Sequence, residues 1–210
     1  MTTEAVRKGL LIVFEGTDGT GKSTQVHLLS HYLQDRGYPV IATREPTEGP
    51  YGKKIRSLYM HRNAYSREEE LELFLADRRE HVQQLLDPAL AQGRIILCDR
   101  YFLSTAAYQG ARGFDPEEIL RRNRFAPDPD LALLFQAPLD TGLRRITSGR
   151  GEQLNDFEQK DSLNQVAAIF ASIKRPYIQP IDASGSIEEV HEQVLNHVTP
   201  LLPAFSAAQV

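Results

Sequence analysis

The eight residues from Gly16 to Ser23, GTDGTGKS, constrain this chain more than any other stretch, because they match G-x-x-x-x-G-K-[ST]. The flanks fit the motif. Leu10-Leu11-Ile12-Val13-Phe14 reads as a strand before it, and Val26, Leu29 and Leu33 share one face of a helix after it. Glycines at 16, 19 and 21 let backbone N–H groups crowd around an anion. The expected phosphate cradle is Gly16, Thr17, Gly19, Thr20, Gly21, Lys22, Ser23 and Thr24. Lys22 is expected to face solvent in the empty loop and to reach the β- and γ-phosphates of a nucleoside triphosphate. The Ser23 hydroxyl is expected on Mg²⁺.

The rest of the chain alternates strand-like and helix-like patterns. Strands are expected at 38–42, 95–98, 130–135 and 180–183. Helices are expected around Ile55 and Leu58, from Ser66 to about Ala91, and over 115–124, 138–146 and 159–174, with a last one carrying Ile187 to Leu201. Ser66 with Glu69 makes a capping box, and Asp115 followed by Pro116 a second helix start. The pattern predicts an α/β fold of P-loop NTPase type: a doubly wound, five-stranded parallel sheet flanked by helices. Residues 1–210 read as one domain, with a short lid loop at 148–156 and a loose tail over 203–210. Ligands of such sheets sit at the carboxyl ends of the strands, so Gly16, Arg44 and Asp99 are expected in one crevice.

Composition narrows the function classes. A net charge of −4 argues against a nucleic-acid-coating protein. The one cysteine, Cys98, lies in an apolar run and fits a reducing compartment. The N-terminal residues have no signal-like apolar stretch and no apolar run approaches about 18 residues, so no membrane contact and a cytoplasmic location are expected. The six histidines show no metal spacing and are read as solvated.

Asp99 ends the apolar strand IILCD, where an acid either joins Ser23 on the metal or caps the next helix. Arg44, Arg56, Arg78 and Arg100 all fall near the expected crevice. Arg78 lies within the apolar stripe of the long helix, four residues after Phe74. A guanidinium there either pairs with a core acid or hydrogen-bonds a planar base stacked on Phe74. Arg56 and Arg100 are candidates for a clamp on a second phosphate.

Taken together, FEGTDGTGKSTQ, TREPTEGPYGKKIRSL, LFLADRREHV, DRYFLSTAAYQG, PDPDLALLF and IDASGSIEEVHEQV resemble the thymidylate kinase family in content and order over nearly the whole chain. The resemblance implies a homodimeric enzyme using ATP and Mg²⁺ to phosphorylate dTMP. It implies that Asp18 meets the acceptor sugar, and that Arg44, Glu45, Arg56 and Arg100 belong to the acceptor-phosphate and transfer sites. It implies Phe74 as the stacking ring, Arg78, Thr105 and Gln109 as base contacts, and Tyr108 as a 2′-crowding group acting by bulk. Arg145 and Asp182-Ala183-Ser184 resemble the adenine wall. With Gly19 inside the loop, the family's catalytic arginine is expected in the lid. Arg150 is there, but the Asp-Arg position reads Asn155-Asp156. A kinase for another deoxynucleoside monophosphate and a nucleotide-binding regulator without turnover remain the alternatives.

Overall fold

The computed structural model describes residues 9–58, 65–138 and 160–205. Five parallel strands form one sheet in the order β2-β3-β1-β4-β5: β1 (Leu10–Gly16), β2 (Val40–Arg44), β3 (Ile95–Asp99), β4 (Leu131–Gln136) and β5 (Ile178–Asp182). The three central strands, β1, β3 and β4, are almost wholly buried, as their unbroken apolar runs require. The edge strands β2 and β5 mix exposed and buried positions.

Alternate residues of β1 feed two cores. Leu11 and Val13 point to the face covered by α3 (Arg67–His81), α4 (Asp87–Ala91), α5 (Phe102–Gly110), α6 (Pro116–Arg122) and α7 (Lys160–Ser172). Leu10, Ile12 and Phe14 point to the face covered by α1 (Lys22–Gln34) and α8 (Ile187–Val198). The remaining helix, α2 (Pro50–Leu58), packs on α3.

Beyond shifts of one or two residues at β4 and β5, three differences from expectation have local reasons. Strand β2 starts at Val40, because Pro39 has no N–H for the ladder. The helix expected over 66–91 is interrupted: α3 ends at His81 and a π-turn spans Val82–Leu86 before α4 begins. Pro88 cannot donate to the Gln84 carbonyl, and the Asp87 N–H bonds Val82, five residues back. At the C-terminus, a 3₁₀ helix over Thr199–Phe205 runs into the stretch expected to be a loose tail. The capping box of Ser66 and Glu69 and the Asp115 cap are both present. The expected lid and most of the helix before it, with Arg145, Arg150, Asn155 and Asp156, lie outside the described residues.

Candidate active site

The site begins where β1 gives way to α1. Gly16 has φ 130, and a Cβ there would strike the Phe135 carbonyl of β4. Gly21, the N-cap of α1, has φ 87 with open space around it, so the left-handed conformation alone requires glycine. No side chain caps α1, and its first turn holds no acid. The first N–H groups and the positive end of the helix dipole are therefore left for an anion.

Lys22 corrects an expectation. It is buried rather than solvent-facing: Nζ donates to the Thr17 carbonyl at 2.7 Å and to Thr20 Oγ1 at 3.4 Å. Burial, then the nearby Arg100, pulls its pKa down to about 8, against the pull of Asp18, Asp99 and Glu15. Folding back onto its own loop gives the ammonium its acceptors. One residue on, the Ser23 hydroxyl donates to Asp99 Oδ2 at the end of β3. Two hard oxygen donors side by side suit Mg²⁺ chemistry. Among the described residues no larger group of His, Cys, Asp or Glu is arranged to hold a metal.

A second cluster faces the loop from the start of α5. The Arg100 N–H bonds the Phe14 carbonyl of β1 at 2.9 Å, and Arg100 alone of the described non-glycine residues has a positive φ, 70°. Such a backbone costs on the order of 1–2 kcal/mol. The guanidinium is correspondingly over-determined. It meets Asp18 Oδ1 at 2.6 Å, the Gly16 carbonyl at 3.2 Å and Ser104 Oγ at 3.0 Å. The Tyr108 hydroxyl donates to the other Asp18 oxygen at 2.7 Å. Burial alone would raise the Asp18 pKa, but Arg100, Lys22 and the Tyr108 hydrogen bond outweigh it and hold the carboxyl at about 2. Tyr108 thus has a hydroxyl with work to do, beyond the bulk expected of it.

Arg56 does not join Arg100. Its NH2 meets Glu48 at 2.7 Å, its NH1 meets the Pro46 and Thr47 carbonyls, and Arg44 holds the same Glu48 carboxylate. Arg44 and Arg56 are therefore brought together at the end of β2, around an acid the motif reading missed. Asp77 of α3 fixes that loop by accepting from the Thr47 N–H at 2.8 Å and its hydroxyl at 2.6 Å.

Deeper still, Arg78 resolves toward the core-acid reading. It donates to Glu45 Oε2 from Nε at 2.9 Å and from NH2 at 2.5 Å, to Asn123 at 2.6 Å and to Thr105 at 3.0 Å. His81 meets the other Glu45 oxygen at 2.9 Å and Thr43 on its far side, so this histidine is a buried partner and not a solvated one. Burial disfavours the Glu45 charge, yet Arg78 and His81 hold its pKa below the usual range. Phe74, one turn before Arg78, is half-buried. Gln109 is buried on α5, one turn after Thr105.

Glu15 was also missed, hidden at the end of an apolar run. It is fully buried and accepts from the N–H groups of Tyr101 and Ser104 and from the Ser104 hydroxyl, pinning the start of α5. Burial pushes its pKa up to about 7 despite those bonds and Arg100. On the far side of the sheet, Asp182 ends β5 with its carboxylate capping Ser184, and the buried Ala183 N–H bonds Gln136 at 2.7 Å. An open cleft lies beside them, lined by Gln136, Ala137, Pro138, Pro180, Asp182 and Gln193.

Comparison with known proteins agrees with this geometry. The family model described as Thymidylate kinase matches residues 14–194. The chain is similar to the thymidylate kinase of Desulfotalea psychrophila, with 61% identity over 194 residues, 92% of this chain and 96% of that one. It is 45% identical to the thymidylate kinase of Akkermansia muciniphila over 204 residues, 97% of this chain and 98% of that one. The crystal structure of thymidylate kinase from Ehrlichia chaffeensis superposes with a TM-score of 0.73 at 29% identity, covering 90% of this chain and 98% of that one. An uncapped helix behind a glycine loop, an acid–arginine–tyrosine cluster facing it and these relatives along almost the full length agree: the chain belongs to the thymidylate kinase family.

Proposed function

We propose that this chain acts as a single kinase domain that transfers the γ-phosphate of Mg-ATP to dTMP, giving dTDP and ADP. The observation that carries the reading is the closeness of two half-sites. One is the bare N-terminus of α1 with Lys22. The other is the Asp18–Arg100–Tyr108 cluster bonded onto the same loop. An oxygen of the acceptor phosphate attacks the γ-phosphorus, and the bond to the β-phosphate oxygen breaks. Little covalent work falls to the protein, so positioning and charge stabilisation carry the rate.

Each residue then has a task. The loop N–H groups and Lys22 hold the donor phosphates. Ser23 and Asp99 are the residues that would hold Mg²⁺, which neutralises phosphate charge when bound. Arg44 and Arg56 exchange Glu48 for the acceptor phosphate, and Asp18 takes the sugar hydroxyl. Arg78, Thr105 and Gln109 face the base, Phe74 stacks on it, and Glu45 holds Arg78 in place. Asp182 and Ala183, with Arg145, form the adenine side. Arg150 is the lid arginine. A homodimer in the cytoplasm completes the reading, supported by the resemblance. No helix among the described residues is long and apolar enough to cross a membrane.

The test is ADP release from Mg-ATP with a panel of nucleoside monophosphates. Turnover with dTMP far above dCMP, dAMP and dGMP is expected. Equal turnover across the panel would replace the dTMP assignment, and no turnover with dTMP still bound would make the chain a nucleotide-binding regulator. Sedimentation at micromolar concentration tests the dimer.

A further inference from the structure

Gln109 carries the one buried side-chain polar atom without a hydrogen-bond partner among the described residues: its carbonyl oxygen. Its amide nitrogen donates to Glu70 Oε1 of α3 at 3.0 Å. Glu70 is itself buried, and its second oxygen is held by Arg112 in an ion pair. A carboxylate only accepts, so the Gln109 NH₂ must face it and the carbonyl oxygen must face away. An amide would otherwise flip between two nearly isosteric orientations. A buried acceptor left unmet in this way is costly and calls for a donor from elsewhere. One turn earlier on α5, Thr105 touches Arg78, whose guanidinium can only donate.

We propose that Glu70 is a positioning residue for base selection: it locks the Gln109 amide so that the site offers an acceptor beside the Arg78 donor. This deepens the dTMP reading and rests on it. A base edge matching that pattern presents a carbonyl next to an imino N–H. Thymine and uracil present it, as does guanine among the purines. Cytosine presents the inverse, an amine next to a bare ring nitrogen, and meets donor against donor at Arg78 and acceptor against acceptor at the Gln109 carbonyl oxygen that Glu70 fixes. Selection against cytosine therefore comes from a residue that never touches the base.

The test compares full-length wild type, Glu70→Gln, Gln109→Ala and Arg112→Gln with dTMP and dCMP at saturating Mg-ATP. In Glu70→Gln two amides face each other and can flip together, which turns the Gln109 NH₂ toward the base. The dTMP:dCMP ratio of kcat/KM is expected to fall by about tenfold or more, through KM, with the KM for ATP unchanged. Arg112→Gln leaves Glu70 facing Gln109 and is expected to keep the ratio. An unchanged ratio in Glu70→Gln, beside a Gln109→Ala that loses dTMP, overturns the proposal while sparing the base contact. A Gln109→Ala that keeps its KM for dTMP removes the base contact itself, and the proposal with it. Should Glu70→Gln fail to fold, the wild type still decides. A dTMP analogue methylated at N3 is expected to compete about 10- to 100-fold more weakly than dTMP. Equal competition overturns the proposal.

Discussion

Two arginine–carboxylate pairs stand side by side at the carboxyl edge of the sheet, and they are built for opposite purposes. Arg100 and Asp18 keep 19% and 29% of their side-chain surface in solvent, on a backbone held at positive φ. Arg78 and Glu45 keep 2% and 5%, with His81, Asn123 and Thr105 bonded to them in turn. The first pair is partly buried, and the solvent that reaches it screens part of its attraction. What it offers, on the proposed reading, is a cation and an anion for incoming phosphate and sugar groups. The second pair is dry, so breaking it strands a charge. It works as a frame that joins β2, α3 and α5.

The largest expected effect comes from breaking the more open pair. Arg100→Gly suits the left-handed backbone and so isolates the loss of charge. We expect kcat to fall by about 10³–10⁵ in single-turnover measurements, with a smaller loss of urea-unfolding stability than breaking the buried pair brings. A fall of less than tenfold would deny Arg100 its place at the transferring phosphate. Glu45→Ala should show the reverse emphasis. It leaves Arg78 buried without its anion, and about 3–5 kcal/mol of stability should disappear in the same unfolding assay. Replacing both partners, Glu45→Leu with Arg78→Met, should cost less than Glu45→Ala alone. If the double variant is the worse of the two, the buried pair does not act as a frame of compensated charge. A smaller effect is expected in the lid: Arg150→Ala should lower kcat by about 10²–10³ with little change in nucleotide affinity. A harmless Arg150→Ala beside a crippled Arg145→Ala would move that role to Arg145.

The contrast also marks what sequence makes legible. The expected phosphate cradle is local: eight consecutive residues carry its glycines, lysine and hydroxyl, and the strand and helix that flank them complete the motif. The sheet is legible for a similar reason, since β1, β3 and β4 are buried on both faces and must be continuous apolar runs. Partners distant in sequence are not written in any pattern. Glu45 lies 33 residues before Arg78, in a turn whose motif announces a loop and not a core acid. Arg56 looks like a clamp partner for Arg100 until Glu48 is seen holding it beside Arg44. Lys22 looks solvated because the loop around it is polar, yet a long stem lets the ammonium reach Thr17 five residues back. Glu15 is concealed by its neighbours: one acid at the end of LLIVFEG reads as the close of a strand.

Glu15 links the two pairs, and it gives the smallest and most specific prediction. It lies between them in charge as well as in space, with Arg100 and Arg78 both favouring its ionised form. The Ser104 hydroxyl bridges it to Arg100, donating to Glu15 while accepting from the guanidinium. Burial nonetheless dominates and lifts its pKa from 4.5 to about 7. A carboxyl raised in the folded state favours folding most when it is protonated. Its contribution is fully present below about 4.5, declines as pH rises, and is gone above about 7. The spread amounts to at most about 3 kcal/mol. Glu15→Gln keeps the hydrogen-bonding shape and removes the titration. The difference in unfolding free energy between Glu15→Gln and wild type should therefore grow in favour of the variant from pH 5 to pH 7.5, then level off. A difference that stays flat over that range would mean Glu15 is already ionised at the lower end. The bonds from Tyr101, Ser104 and the nearby arginines would then outweigh its burial.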